Sequence, residues 1–231
     1  MLLRHFLQLH GYSRRKILWF IQQGTLFVDE QRVDSLKKEL SFGQTVRVEK
    51  KNYMYTNSPT EYWLVLFHKP LGYVCSHKDF YNKTIYELLP EKYATYRYIG
   101  RLDKDSTWLV LLTNYLSLVD RWSHPRYMVE KEYVVSVNSA FSLLDKEKML
   151  RWIQDDGDLL SVKSITIVDK QIIRIVLTEW KNRHIRRMLT ACGYDVVWLI
   201  RIREWSYSLN SLTSWAYTVL SLDKEDVSQE I

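Results

Sequence analysis

The sequence predicts an α+β protein in two parts, a small α/β unit followed by a larger domain on a mostly antiparallel, mixed sheet. Three observations carry this. Apolar residues near the N-terminus recur at helical spacing and then give way to alternation. A polar, breaker-rich stretch with Asn52, Asn57, Ser58 and Pro59 comes next. Beyond it, seven strand-like runs are interrupted by four helical patterns.

In order along the chain, Leu2, Leu3, Phe6 and Leu7 mark a first helix that Gly11 ends. Ser13 is an N-cap for a second helix carrying Ile17, Leu18, Phe20 and Ile21, and Gly24 is placed to stop it. Strands are expected at 26–33 and 45–48, punctuated by Asp29, Glu30 and Gly43. This gives a first domain at 1–50, a linker at 51–61 and a second domain at 62–231. In the second domain, strands are expected at 63–67, 109–112, 133–137, 165–168, 172–177, 196–200 and 217–220, and helices at 84–89, 115–122, 142–153 and 183–192. The run 109–112 is apolar on both faces, as a central strand covered on both sides should be. Residues 223–231 form an acidic tail expected to fray.

Among 231 residues, 33 Lys and Arg outweigh 27 Asp and Glu, a net charge of +6. That excess points to a polyanionic partner, nucleic acid first and a membrane surface second. No apolar run reaches membrane-spanning length, and Arg4, His5 and His10 interrupt the N-terminus before a signal-peptide core could form, so a cytoplasmic protein is expected. Cys75 and Cys192 stand far apart without ligand spacing, which suggests two buried, reduced thiols rather than a disulfide or a zinc site. Glycine is scarce: seven residues are about 3% of the chain where roughly 7% is usual, while tryptophan appears nine times.

Four constellations bear on chemistry. Arg14, Arg15 and Lys16 open the second helix, with Arg4 and His5 nearby in the first. They read either as a solvated face or as phosphate contacts; cations at a helix N-terminus oppose its dipole, so helix stability does not explain them. The loop Gly100-Arg101-Leu102-Asp103-Lys104-Asp105-Ser106 leads into the buried strand, where Asp103 is either a turn former or a nucleophile held at a cleft edge. Tyr133, in Lys131-Glu132-Tyr133, either packs in the sheet or stacks on a base. In 179–188, Ile185, Met188, Leu189 and Cys192 share one helical face, Arg183 and Arg187 project opposite, and Arg186 lies on the flank where it can reach a cleft. Six Lys and Arg against one Asp between 181 and 203 make this the strongest electrostatic footprint in the chain.

The first 50 residues, with Leu3-Arg4, Gly11-Tyr12-Ser13-Arg14-Arg15-Lys16, Ile21, Gly24, Val28 and Gly43-Gln44-Thr45-Val46-Arg47-Val48, resemble an S4 RNA-binding domain. Asp29-Glu30 stands where that pattern commonly has Asn-Gly. Downstream, His68-Lys69-Pro70-Leu71-Gly72-Tyr73-Val74-Cys75-Ser76, the Gly-Arg-Leu-Asp loop ending at Asp103, Leu111-Leu112-Thr113-Asn114, Ser123-His124-Pro125, Lys131-Glu132-Tyr133 and Asn182-Arg183-His184-Ile185-Arg186-Arg187-Met188 follow one another as in ribosomal RNA pseudouridine synthases of the RsuA/RluB type. The resemblance covers nearly the whole chain. It implies an isomerase that detaches uracil from ribose, rotates it and rejoins it through carbon, acting on ribosomal RNA or a ribosomal assembly intermediate as a cytoplasmic monomer. It implies no cofactor, no metal and no membrane.

By the same resemblance Asp103 is the nucleophile, Tyr133 the base-stacking aromatic and Arg186 the arginine that pairs with the aspartate and keeps it ionised. Arg101 helps hold the flipped nucleotide, and Arg4, Arg14, Arg15, Lys16, Lys131, Arg183 and Arg187 contact RNA. Attack on the sugar carbon, attack on the base and abstraction of a ribose proton are all open to Asp103. The Gly72–Ser76 stretch and the chain length lean toward small-subunit (16S) RNA. The alternative is a noncatalytic RNA-binding or ribosome-assembly factor on the same scaffold; a basic peripheral membrane protein is disfavoured, because no amphipathic helix joins a wide apolar face to a basic one.

The departures are concentrated in one residue type. Trp108, Trp180, Trp205 and Trp215 stand where the resemblance calls for glycine. The largest side chain at a tight turn overpacks it by about 1–3 kcal/mol and forbids a positive φ that glycine would supply. One codon, UGA, read as glycine in the source and as tryptophan in the written sequence, accounts for all four. Trp63 and Trp198 fall in expected strands and need no such account.

Overall fold

The computed structural model describes residues 1–56, 61–209 and 212–223, and they form two compact units divided between Tyr62 and Trp63. In the first unit, α1 (Leu3–Leu9) and α2 (Arg14–Gln23) precede a four-stranded antiparallel sheet of β1 (Leu26–Val28), β2 (Gln31–Arg32), β3 (Thr45–Val48) and β4 (Lys51–Met54), ordered β2-β1-β3-β4. Ser13 caps α2 by accepting the Lys16 amide at 3.2 Å, and Gly24 closes it with a left-handed φ of 67°. Leu3, Leu7, Ile17, Phe20, Leu26 and Val46 form the core of this unit. The expected linker at 51–61 is shorter than the polarity of 51–54 suggested. Those residues extend the sheet because β3 offers them an unpaired edge, and Tyr53 packs against the core. Residues 57–60 lie outside the described residues, as does all of the acidic tail after Asp223.

The second unit is built on a mixed, mostly antiparallel sheet of nine strands. Its path runs β11 (Ser164–Asp169), β12 (Ile172–Leu177), β8 (Lys131–Val137), β13 (Val196–Glu204), β7 (Thr107–Thr113), β5 (Tyr62–Lys69) and β15 (Tyr217–Leu222). The short strands β6 (Arg97–Ile99) and β14 (Tyr207–Ser208) pair with β7 and β13. β9 (Ile153–Asp155) and β10 (Asp158–Leu160) form a separate hairpin. Helices α3 (Leu116–Ser123), α4 (Leu143–Arg151) and α5 (His184–Ala191) complete the unit. The pattern expected as a helix at 84–89 is a single 3-10 turn at Ile85–Glu87, closed by a capping box between Thr84 and Glu87. Among the described residues no helix is long and apolar enough to cross a membrane.

β7 is the central strand: Leu109, Val110, Leu111 and Leu112 have no exposed surface, because β5 lies antiparallel on one side and β13 parallel on the other. At the start of that parallel contact sits a buried charged cluster. Arg201 on β13 donates from Nε to the Leu109 carbonyl at 2.8 Å and pairs through Nη2 with Glu204 at 3.1 Å, and the Lys131 ammonium of β8 lies 3.7 Å from the same carboxylate. Arg201 and Glu204 are completely buried.

Three of the four tryptophans that stand for glycine adopt the left-handed backbone: φ is 87° at Trp108, 56° at Trp205 and 74° at Trp215. Trp63 and Trp198, expected in the core, are half-buried on β5 and β13.

Two stability measurements test this description. Arg201→Met leaves the Glu204 carboxylate buried with only a distant ammonium, so urea unfolding should show a loss of about 3–5 kcal/mol, most of it recovered in the Arg201→Met/Glu204→Leu double variant. Trp215 is 58% exposed, so Trp215→Gly gives up little burial while relieving a left-handed bulky residue; it should gain about 1 kcal/mol or more in the same assay.

Candidate active site

The loop between β6 and β7 carries Arg101, Asp103 and Asp105, and buried groups fix it along its length. Gly100 begins it with φ of 64°, and its amide donates to the Ser123 hydroxyl at the end of α3 at 3.2 Å. An added Cβ at Gly100 would lie 3.1 Å from the Glu204 carboxylate and 3.3 Å from the Arg201 guanidinium, so the loop rests directly on the buried cluster. The Leu102 amide points at the Cys75 sulfur, 3.5 Å away, and the Lys104 carbonyl accepts the Gly72 amide at 2.9 Å. At the far end Lys69 has no exposed surface and donates its ammonium to the Ser106 carbonyl at 2.6 Å. Burial pushes the Lys69 amine down to about 8, against the opposing pull of Cys75, Asp103 and Asp105. The segment 68–76 and the Ser123-His124-Pro125 corner therefore act as a brace for the loop.

Asp103 is half-buried on this brace. The resemblance implies a cation beside it that keeps it ionised; burial works the other way and raises its carboxyl above its ordinary value. Arg183 pulls it down, Asp105 pushes it up, and Arg186 and Arg101 pull it down without cancelling the burial. Arg186 was expected to pair with Asp103, and the structure places it on Asp105: its Nη2 donates to the Asp105 carbonyl at 2.7 Å and its Nε lies 3.3 Å from the carboxylate. Arg183 holds the same carboxylate at 3.1 Å. Asp105 sits on the outward side of the turn, nearer the start of α5, and so intercepts both guanidiniums. Burial raises the Asp105 carboxyl and the arginines outweigh it, leaving the group below its ordinary value.

Alternation along β8 decides the fate of two other residues. Positions 131, 133, 135 and 137 face inward. Lys131, read as an RNA contact, is buried against Glu204 and donates to the Val129 carbonyl at 3.3 Å, so it belongs to the charged cluster rather than the surface. Tyr133 has no exposed surface, and its ring stacks with Trp180 at a centroid distance of 5.4 Å. On α5, Ile185, Met188 and Leu189 are buried as their shared face requires, while Cys192 is only half-buried. Cys75 is buried, and neither cysteine is in a disulfide. Arg187, another expected RNA contact, is tied down by Asp155 and by Asp158 at 2.8 Å on the β9–β10 hairpin. In the first unit Arg14, Arg15 and Lys16 are exposed, Lys16 lying over the Trp19 ring at 3.9 Å, and Arg4 is half-buried.

Beside the loop is a cavity of about 390 Å³ whose wall includes Tyr98, Gly100, Arg101, Lys131, Trp180 and Arg201. That size suits a small ring system, and the wall is positively charged and aromatic. Arg201 and Glu204 were missed in the sequence, where they fall beyond the strand expected at 196–200; the signal was charge at alternate positions, Arg201 and Arg203, directly after an apolar run.

An RNA pseudouridylate synthase family model matches residues 63–191, more than half of the chain. The chain is 29% identical to the ribosomal large subunit pseudouridine synthase B of Yersinia pestis, over 96% of this chain and 72% of that protein. It is 30% identical to the protein of the same name from Escherichia coli (strain K12), over 96% of this chain and 79% of that one. A solved pseudouridylate synthase shares the fold, with a TM-score of 0.69 at 24% identity, over 96% of this chain and 95% of that structure. The motifs at 68–76, 100–103, 123–125, 131–133 and 182–188, which the fold gathers around one loop and one cavity, are thus those of an enzyme family, and the chain belongs to the RNA pseudouridylate synthases.

Proposed function

We propose that this enzyme isomerises specific uridines of ribosomal RNA to pseudouridine, with Asp103 as nucleophile. The observation that carries the reading is the loop: a half-buried carboxylate, braced at Gly100, Leu102 and Ser106, stands among three arginines on a loop whose Gly100 and Arg101 line a cavity sized for a base. In the reaction the N1–C1′ bond breaks, the uracil turns while it stays bound, a C5–C1′ bond forms and the bond that Asp103 made to the substrate is released; C5 gives up its proton to solvent and N1 takes one up. Atoms and electrons balance without a redox partner. Extruding the uridine from its helix leaves the base to be held by aromatic contact and by polar groups of the wall. Arg101, exposed at the mouth of the cavity, suits the flanking phosphate, and Arg183 with Arg186 orders the Asp105 side of the turn. The enzyme is proposed to act as a monomer.

The first unit is read as an S4-like RNA-binding domain. Arg14, Arg15 and Lys16 are exposed at the start of α2, where amides and cations converge on an anion. Asp29 and Glu30 have φ of 45° and 65°, the left-handed pair of a tight hairpin between β1 and β2 that Asn-Gly usually makes. Asp29 compensates by accepting the Thr45 amide and the Gln44 side chain, both at 2.8 Å. The choice of ribosomal subunit is drawn two ways: the 72–76 stretch leans to the small subunit, and the Yersinia pestis and Escherichia coli relatives are named for the large one. Ribosomal RNA, free or in an assembly intermediate, is the proposed partner.

Tritium release from 5-tritiated uridine, run separately on small-subunit and large-subunit RNA, tests the reaction and its target together. A chain competent in the reaction should release tritium from one of them, and Asp103→Asn should abolish release while RNA affinity in a filter-binding assay stays within about twofold. Release retained in Asp103→Asn rejects Asp103 as nucleophile; RNA binding without release from any competent form indicates a noncatalytic factor. Because Asp103 acts ionised and burial raises its pKa, kcat/KM should fall on the acid side as pH drops through that raised value. Arg183 is the charge that lowers it most, so Arg183→Gln should move the acid limb to higher pH. A limb that stays in place would mean that another group titrates.

A further inference from the structure

The face of Tyr133 that a uracil would need is already taken. The indole of Trp180 lies over the ring with planes 22° apart, the arrangement a stacked base would adopt. Trp180 also forms part of the cavity wall beside Arg101, Lys131 and Arg201. A flipped uridine entering this cavity meets the indole before it meets the tyrosine.

Backbone geometry elsewhere bears independently on the same residue type. All seven glycines of the chain have positive φ, between 64° and 87°. Among the described residues nine others share that region, and three of them are Trp108, Trp205 and Trp215, although tryptophan supplies only nine of 231 residues. A bulky residue there is an outlier costing on the order of 1–3 kcal/mol, and such strain is retained where function demands it. No chemistry of the site uses these indoles: Trp108 lies against His68, Trp205 stacks on Trp122, and Trp215 is exposed. The three positions have the backbone of glycine without the residue.

We propose that the indole at position 180 closes the base site, and that the working enzyme carries glycine at 108, 180, 205 and 215, encoded by UGA. The occlusion rests on Tyr133 as the base platform; the assignment at 108, 205 and 215 rests on φ. Glycine at 180 removes the aromatic cover from Tyr133 and opens the cavity toward it. Glycine at the other three removes three strained residues, and the composition becomes 11 Gly and 5 Trp. Since the four positions include both a strained turn and an unstrained plug, one recoded codon accounts for two otherwise unrelated defects.

The gene and the protein from its own cells give the first test: UGA at codons 108, 180, 205 and 215 is expected, with peptides whose masses carry glycine at each. UGG codons, or tryptophan in those peptides, overturn the assignment. The second test compares two full-length chains, both carrying Trp108→Gly, Trp205→Gly and Trp215→Gly, one keeping Trp180 and the other with Trp180→Gly. Urea unfolding reports whether each is folded, and tritium release from 5-tritiated uridine in ribosomal RNA reports turnover. The chain with Trp180→Gly should turn over about tenfold to hundredfold faster, the factor that corresponds to one base–aromatic stack. Equal, measurable release from the two overturns the occlusion. Glycine peptides together with no release from either folded chain leave the codon assignment standing and reject the isomerase reading instead.

Discussion

A buried carboxylate shared by two cations sets the geometry of the catalytic unit. Glu204 lies between Arg201 and Lys131, and Arg201 in turn holds a carbonyl of the central strand β7. Three strands that are distant in sequence, β7, β8 and β13, are thereby locked in register at one point. Desolvating such a group costs several kcal/mol per ion, so the cluster tolerates little rearrangement: losing one partner strands the others. The Gly100 backbone sits on top of it, so near that an added Cβ would crowd the Glu204 carboxylate at 3.1 Å. The position of the Asp103 loop is therefore set from beneath by charge and from the side by Lys69 and Ser123.

That arrangement explains an electrostatic result that runs against simple pairing. A carboxylate surrounded by arginines ordinarily has a depressed pKa, yet that of Asp103 is raised, because burial outweighs charges that are engaged elsewhere. Arg183 and Arg186 spend their hydrogen bonds on Asp105. Asp105 thus works as an anchor that keeps two guanidiniums at the rim without neutralising the carboxylate between rim and core. A raised, half-buried carboxylate with its cations held at a distance is more reactive toward an electrophilic carbon than one locked in a bidentate pair.

Much of this was legible in the sequence. Runs of β-branched and apolar residues placed all seven long strands of the sheet, and the double-sided apolarity of 109–112 located its centre, because burial is written directly in side-chain type. The motif order brought the 100–106 loop and the start of α5 into one reading, and the structure joins them through Arg183 and Arg186 on Asp105. What sequence could not supply were matters of partner choice. β4 exists because β3 has a free edge; Lys131 and Tyr133 are inward because β8 pairs in one register and not its neighbour. Arg186 pairs with Asp105 and not Asp103 by a difference of two residues within a turn, and the cluster around Glu204 needs three strands to meet before any of its residues looks unusual.

The tryptophans show how sequence and backbone can each expose what the other conceals. Composition raised the question, since scarce glycine and abundant tryptophan are unrelated in any ordinary chain. Family position selected Trp108, Trp180, Trp205 and Trp215 without reference to geometry. The backbone then put three of those four, and no other tryptophan, at positive φ. Trp180 is not at positive φ, and its position differs from the others: it stacks over Tyr133, the space that the proposed reading gives to the base. Selection for stability alone would remove Trp108, Trp205 and Trp215 and leave Trp180; selection for base binding alone would remove Trp180 and leave the others. A change at the level of the codon removes all four together, which is why the tryptophans are better explained by how the gene is read than by four separate adaptations of the fold.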